Sequence, residues 1–344
     1  MNFRNYLQST ALEIENQINS YKSNWQLEIE QISPKLVDLI DVFTTAWEGG
    51  KRLRGSLVKL GYEMSGGQPN TSINEVAVAY EIFQTSILAH DDIIDLSPTR
   101  RGKPTVYRQL GGDHYGISQT ICLGDIGFFL ANKLIVDSNF DSDLKVKALH
   151  YFSRMVINTG LGEMLDIELP HLKQERSEDD VIIINRLKTA DYTISYPLMI
   201  GAILGGASDE KLAKITQFGT DLGIAFQIQD DILGIFGDEH TLGKSVTSDI
   251  EEGKNTLLIT EAYKNANNEQ KQILDKYYGN GEVSSEHLEQ IKQVFIDTGA
   301  LEYSKNMASQ YVESAKKLIP ELTESEDHRQ LLSEMSEFLV NRDK

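Results

Sequence analysis

The sequence predicts an all-α fold, a single large antiparallel helical bundle spanning residues 1–344 as one domain, and three observations carry that expectation. Apolar residues recur at helical spacing in almost every long segment. Only seven prolines interrupt a chain rich in Leu, Ile, Ala, Glu and Lys, and this composition favours helix. Strand-like alternation is missing. The run Val181, Ile182, Ile183, Ile184 fits a strand by itself, but Glu178, Asp179 and Asp180 stand before it, and acidic residues suit a helix N-terminus.

The apolar period places helices at about 4–31, 34–47, 52–65, 72–97, 113–137, 141–169, 178–204, 208–235, 249–265, 283–298, 300–318 and 324–341. Ser72 with Glu75, and Thr323 with Glu326, have the spacing of capping boxes. The segment 66–70 reads as a turn, and Gly205 with Gly206 separates two helices. No Pro/Gly/Ser linker is long enough to mark off independent domains. The region after about residue 266 reads as helices packed around the same core.

Charge and cysteine content exclude several classes of function. Lys and Arg number 33 and Asp and Glu 52, a net charge of -19, which offers no footprint for nucleic acid. Cys122 is the only cysteine. It permits no intrachain disulfide and no cysteine metal cluster, consistent with a reducing, cytoplasmic setting. Residues 1–18 carry charges among their apolar positions and do not read as a secretory signal. No stretch of 18 or more residues is free of charge, so no transmembrane helix is expected.

The chemistry concentrates in acidic and basic clusters. Asp91, Asp92 and Asp95 end an apolar run, and Asp91 and Asp95, four apart, share one helix face. Such carboxylates repel one another unless a hard cation such as Mg²⁺ joins them. A lone DDxxD reads equally as a solvated helix end. Nearby, however, stand Arg100, Arg101, Gly102 and Lys103, and arginine contacts phosphate oxygens in bidentate fashion. A second pair, Asp230 and Asp231, again ends an apolar run and is followed by Asp238, Lys244, Asp249 and Lys254. The segment Gly49, Gly50, Lys51, Arg52, Leu53, Arg54, Gly55 places Lys51 and Arg54 three apart, on one face of a helix start, where a bound anion would offset their conflict with the helix dipole. Asp166 lies in an apolar run and needs a partner or a metal. Lys188 and Thr189 complete the polar set of the middle region.

Together these motifs resemble the trans-isoprenyl diphosphate synthases, or polyprenyl synthetase family, over about residues 45–256, nearest the geranylgeranyl diphosphate synthase branch. The resemblance implies an isoprenoid synthase-like bundle around a deep central cavity, a homodimer, and Mg²⁺, three ions with bound substrate. It implies metal ligands at Asp91, Asp92, Asp95, Asp230 and Asp231, and allylic diphosphate contacts at Arg100, Asp166, Lys188, Lys244 and Lys254. It implies isopentenyl diphosphate contacts at Lys51, Arg54, Gln84 and Arg101. Lys188, Thr189, Gln227 and Lys244 match catalytic positions, Thr189 and Gln227 facing the developing carbocation. Four positions depart from the family pattern: Gly55 replaces a proline, Glu163 a glutamine, Gly234 the third aspartate of the second motif, and Gln84 a histidine.

The implied reaction joins isopentenyl diphosphate to a dimethylallyl, geranyl or farnesyl diphosphate and releases pyrophosphate. Ser86, Phe83 and Tyr80 recur every three residues before Asp91 and, with Ile87, are expected to line the product-length pocket. Serine leaves the upper tunnel open, and Phe83, one turn or about 5 Å deeper, is the expected floor of a C20 geranylgeranyl product. Farnesyl (C15) and C25–C35 products remain alternatives, as do a terpene synthase-like enzyme and a noncatalytic subunit of a heteromeric synthase.

Overall fold

The computed structural model describes residues 2–68, 70–172, 176–237 and 246–340. The fold is an all-α helical bundle, and the chain packs as two compact, sequence-interleaved units: Met1–Phe152 with Pro197–Leu212, and Ser153–Tyr196 with Ala213–Lys344.

The first unit is organised by α4 (Thr71–Ile94), preceded by α1 (Phe3–Ile32), α2 (Val37–Thr45) and α3 (Leu53–Glu63). Ile73, Val76, Ala77, Val78, Ala79, Tyr80, Ile82 and Phe83 are all buried, so α4 is a core helix over this stretch, with Glu81 the one buried charge within it. A hairpin of β1 (Thr99–Arg100) and β2 (Lys103–Pro104) follows, then α5 (Val106–Gln109) and α6 (His114–Asp137). The start of α7 (Ser142–Glu168) and most of α9 (Tyr196–Leu204) complete the unit. By length and composition α6 could cross a membrane, with a mean hydropathy of 1.3 over its best window. In this fold one side of α6 packs along α4.

The second unit holds the end of α7, α8 (Glu178–Ile184) and a π-helical segment, Asn185–Ser195. It continues with α10 (Asp209–Phe236, from Ala213), α11 (Ser248–Glu251), α12 (Leu257–Asn265), α13 (Asn268–Tyr277), α14 (Ser285–Asp297), α15 (Ala300–Leu322) and α16 (Glu326–Val340). Ile224, Ile228, Ile232 and Ile235 of α10 pack with Leu258 and Ile259 of α12 and Ile291 and Phe295 of α14. That spacing is one helical face.

Residues 181–184 are helical, as the acidic residues before them imply, with Ser177 capping α8 and three acidic residues in its first turn. Several other local expectations change. The cap of α4 is Asn70, not Ser72: its extended backbone lets the side chain accept from Ile73 N. Thr323 ends α15, and Ser325 takes the cap of α16 by accepting from His328 N. The helix expected at 249–265 divides into α11 and α12, with Gly253 at φ +69° between them. Helix α13 was not expected, although Asn267 and Gln270 form a full capping box. The helix expected at 178–204 contains the π segment, whose wider turn a 3.6 period does not reveal. The hairpin is also new, and its central residues explain it. Arg101 and Gly102 both have positive φ, 53° and 74°, the requirement of a type I′ turn.

Candidate active site

In the first unit the end of α4 presents Asp91 and Asp92, with Asp95 as its C-cap. Carboxylate oxygens of Asp91 and Asp95 lie within 4.8 Å of each other, confirming the shared face. Arg100 Nε donates to Asp92 Oδ1 at 2.7 Å, and its Nη2 donates to Asp91 Oδ2 at 3.1 Å. Burial lifts the Asp92 pKa to about 6 against the opposing pull of Arg100. A hard divalent cation fits these donors, all of them oxygen.

The neighbouring Arg101 lies over the glycine loop. Its Nη1 donates to Gly49 O at 3.4 Å, and a Cβ on Gly50 would meet the guanidinium at 3.1 Å. Asp92, Arg100, Arg101, Gly49, Gly50 and Thr85 contribute to the lining of one cavity of about 280 Å³. Although Arg101 is open along one side, desolvation lowers its pKa; Arg52, Arg100 and Arg54 add to this and Glu81 opposes it. Lys51 is exposed, and Arg54 and Gln84 are half-buried. The shared helix face expected of Lys51 and Arg54 is not formed, because α3 begins only at Leu53 and Arg52 adopts a left-handed conformation between them.

In the second unit a continuous polar chain joins four residues singled out from the sequence. Thr189 Oγ1 donates to Gln227 Oε1 at 2.7 Å, Gln227 Nε2 donates to Asp231 Oδ1 at 2.8 Å, and Lys254 Nζ donates to the same oxygen at 3.2 Å. Lys188 Nζ contacts Asp166 Oδ2 at 2.7 Å and Glu163 Oε2 at 2.8 Å. Desolvation works against the Lys254 charge, yet Asp249, Asp231, Asp166 and Asp230 together lift its pKa well above the usual lysine value. Asp231 is pushed up to about 6 by burial, with Lys254 opposing. Asp230 is half-buried beside it. Lys244 and Asp238 lie outside the described residues.

The π segment is seated by close contacts. A Cβ at Gly162 would lie 2.6 Å from Lys188 N, at Gly223 2.4 Å from Ala190 Cα, and at Gly219 2.4 Å from Ser195 Cα. These glycines bring α7 and α10 against the backbone that carries Lys188 and Thr189. Asn158 Nδ2 donates to buried Asp191 at 2.8 Å and ties the same segment to α7.

The residues expected to set product length are mostly core. Tyr80 and Phe83 are fully buried, and both contact Phe152, at ring centroid distances of 5.4 and 5.3 Å. Phe83 also meets Phe128 at 5.6 Å. Ser86 bonds back to Ile82 O at 2.8 Å, and a Cβ on Gly127 would fall 1.9 Å from its Oγ. A small residue at 86 therefore serves the approach of α4 to α6. Ile87 is half-buried.

Sequence reasoning missed Glu81, Arg52, Asn158 and Asp191. Polar residues among apolar neighbours were the available signal, since a buried charge needs a partner. Glu163, read only as a departure, supplies a second carboxylate to Lys188.

Comparison with known proteins identifies the family. The polyprenyl synthetase family model matches residues 37–295. The geranylgeranyl diphosphate synthase of Sulfolobus acidocaldarius is 33% identical over 346 residues, covering 99% of each chain. A short chain isoprenyl diphosphate synthase of Methanothermobacter thermautotrophicus is 34% identical over 295 residues, covering 86% of this chain and 87% of its own. The crystal structure of geranylgeranyl pyrophosphate synthase from Corynebacterium glutamicum, complexed with isoprenyl diphosphate and magnesium, superposes with a TM-score of 0.91 at 29% identity and covers 99% of this chain and 100% of its own. The motif-bearing region read at about residues 45–256 falls inside the matched region, and the chain belongs to the polyprenyl synthetase family as a trans-isoprenyl diphosphate synthase close to the geranylgeranyl diphosphate synthase branch.

Proposed function

We propose that this trans-prenyltransferase makes geranylgeranyl diphosphate, by head-to-tail condensation of isopentenyl diphosphate with an allylic diphosphate. The observation that carries the catalytic assignment is the hydrogen-bonded chain from Thr189 through Gln227 and Asp231 to Lys254. It links a hydroxyl suited to a developing carbocation with a cation suited to a departing phosphate.

In this reading Asp91, Asp92, Asp95, Asp230 and Asp231 would hold magnesium, three ions with substrate bound, and Gly234 would contribute no ligand. Magnesium supplies charge neutralisation of the diphosphate leaving group. Arg100, Lys188, Lys244 and Lys254 add fixed positive charge, and Asp166 orients Lys188. The allylic C–O bond breaks, and its electron pair leaves with pyrophosphate. Thr189 and Gln227 present oxygen dipoles to the allylic cation. Lys51, Arg54, Gln84 and Arg101 hold isopentenyl diphosphate so that its double bond attacks that cation. A proton then passes to pyrophosphate, so no side-chain base is required. Fixed charge is the main catalytic contribution, and alignment of two substrates adds to it.

Phe83, wedged between Phe128 and Phe152, supports a floor at the C20 stage. Purified protein with magnesium, labelled isopentenyl diphosphate and C5, C10 or C15 starters tests the assignment by product chromatography. A C20 product, lengthened by Phe83→Ala, is expected. A C15 or C25–C35 main product would overturn the C20 assignment.

A homodimer belongs to the same reading. Helix α6 leaves Ile121, Ile126, Phe129 and Val136 exposed, Phe129 by 75%, a patch of the kind that a second copy covers. Phe129→Glu should shift sedimentation toward the monomer.

A further inference from the structure

We propose that Glu81 is a positioning residue for the isopentenyl diphosphate subsite, holding the cationic loop 49–55 in its binding shape through Arg52 and Gly55. This rests on the reading that Lys51, Arg54 and Arg101 bind that diphosphate.

Glu81 lies on α4 and is only 4% exposed, as is Arg52. Both carboxylate oxygens are engaged. Oε1 accepts from Gly55 N at 2.9 Å, in the first turn of α3, and Oε2 accepts from Arg52 Nη1 at 3.4 Å. Arg52 has φ 52° and ψ 35°, a left-handed conformation that side-chain-bearing residues rarely adopt. It persists because the surroundings over-determine it. Arg52 also donates to Glu15 Oε2 at 2.8 Å and to Trp47 O at 2.5 Å. The guanidinium is thereby fastened to α1, α4 and the end of α2. The inward Arg52 separates exposed Lys51 from half-buried Arg54. Arg101 lies over Gly50 of the same loop.

Glu81 therefore stands behind a loop bearing the cations of the proposed subsite, with two opposite consequences for an anionic ligand. As a bare charge it would repel a diphosphate, and neutralising it would tighten binding. As the anchor of Arg52 it shapes the loop, and neutralising it would weaken binding. The contact geometry favours the anchor. The Glu81 charge is matched by Arg52 at contact distance, so at longer range the pair acts as a dipole. The additional Glu15 charge is partly exposed and screened.

The test is steady-state kinetics of Glu81→Gln and Arg101→Ala with each substrate varied in turn at saturating magnesium. Glutamine keeps an acceptor for Gly55 and loses the charge facing Arg52. The expected result is a rise of about tenfold in KM for isopentenyl diphosphate, the scale of one weakened charge-assisted contact. The allylic KM and kcat should change far less. Loss of a purely structural contact would instead lower kcat and melting temperature without this selectivity, and that outcome overturns the proposal. An unchanged or lowered isopentenyl diphosphate KM in Glu81→Gln, with a raised KM in Arg101→Ala, overturns the positioning role and leaves the subsite standing. No change in either variant overturns the subsite and the proposal together. If Glu81→Gln does not fold, the double variant Glu81→Gln, Arg52→Met removes both buried charges, and its KM must rise for the proposal to hold.

Discussion

Lys188 Nζ donates to Asp166 Oδ2 at 2.7 Å, tying the π segment to the last turns of α7. Glu163 provides a second acceptor at 2.8 Å. The two acceptors should differ in importance, because the resemblance implies a neutral glutamine at 163. Glu163→Gln should leave kcat within about threefold of the parent. Lys188→Ala should lower it by about 100-fold or more, the scale of removing a fixed charge from a developing anion. Single-turnover rates of the two variants check this order.

Removing a carboxylate from either aspartate cluster should stop chemistry and spare the fold. Asp91→Ala and Asp230→Ala are expected to lose about 100-fold or more in turnover, as when transition-state charge stabilisation is removed, while retaining helical circular dichroism. Chelation should abolish parent activity, and added magnesium should restore it. Parent-like turnover by either variant across a magnesium titration would contradict the ligand assignment.

Gly127 and Ser86 make a paired prediction. Gly127→Ala places a methyl group against Ser86 Oγ and 2.9 Å from Phe43 Cζ. It should cost about 1–3 kcal/mol, the usual penalty of overpacking. Ser86→Ala removes the nearer obstacle and should recover some of that loss in the double variant. Urea unfolding of the four proteins in the cycle measures the coupling.

Asp191 should give a readable pH dependence. Burial raises its pKa from 3.8 to about 6, with the Asn158 hydrogen bond opposing. Between these values the folded state binds a proton that the unfolded state has released, so this residue lowers stability as pH rises through the window. Above it the cost is on the order of 2–3 kcal/mol. Asp191→Asn keeps an acceptor for Asn158 without the charge. It should be more stable than the parent at pH 7.5 and lose that advantage at pH 4. Equal differences at both pH values would contradict the assigned shift.

The sequence singled out Asp91, Asp92 and Asp95 because hydrophobic periodicity reveals where an apolar helix ends and what it presents there; Asp230 and Asp231, read the same way, lie inside α10, which continues to Phe236. The family resemblance singled out Lys188, Thr189 and Gln227, and the fold pairs Lys188 with Asp166 and joins Thr189 through Gln227 to Asp231. The π segment was hidden, since eleven residues carry too few turns to separate its period from 3.6. The left-handed Arg52 was hidden because an arginine gives no local sign of positive φ; its partners Glu15 and Glu81 come from distant helices. Helix α13 could have been found, as Asn267 and Gln270 have the capping spacing, but its polar composition masked the apolar period. Ser72 misled because Asn70, two residues earlier, is an equally good cap and wins by its backbone conformation.

The short hairpin directs two adjacent arginines to different partners. Arg100 is the last residue of strand β1, and the reversal begins at Arg101, whose left-handed backbone turns its side chain away from that of Arg100. Arg100 is therefore delivered to the carboxylates closing α4, and Arg101 to the glycine loop. Neighbours in sequence thereby take separate partners. Inserting one residue before Arg100 would move both side chains out of register with these partners, so the spacing from Asp95 to Arg100 is itself information that the chain must preserve.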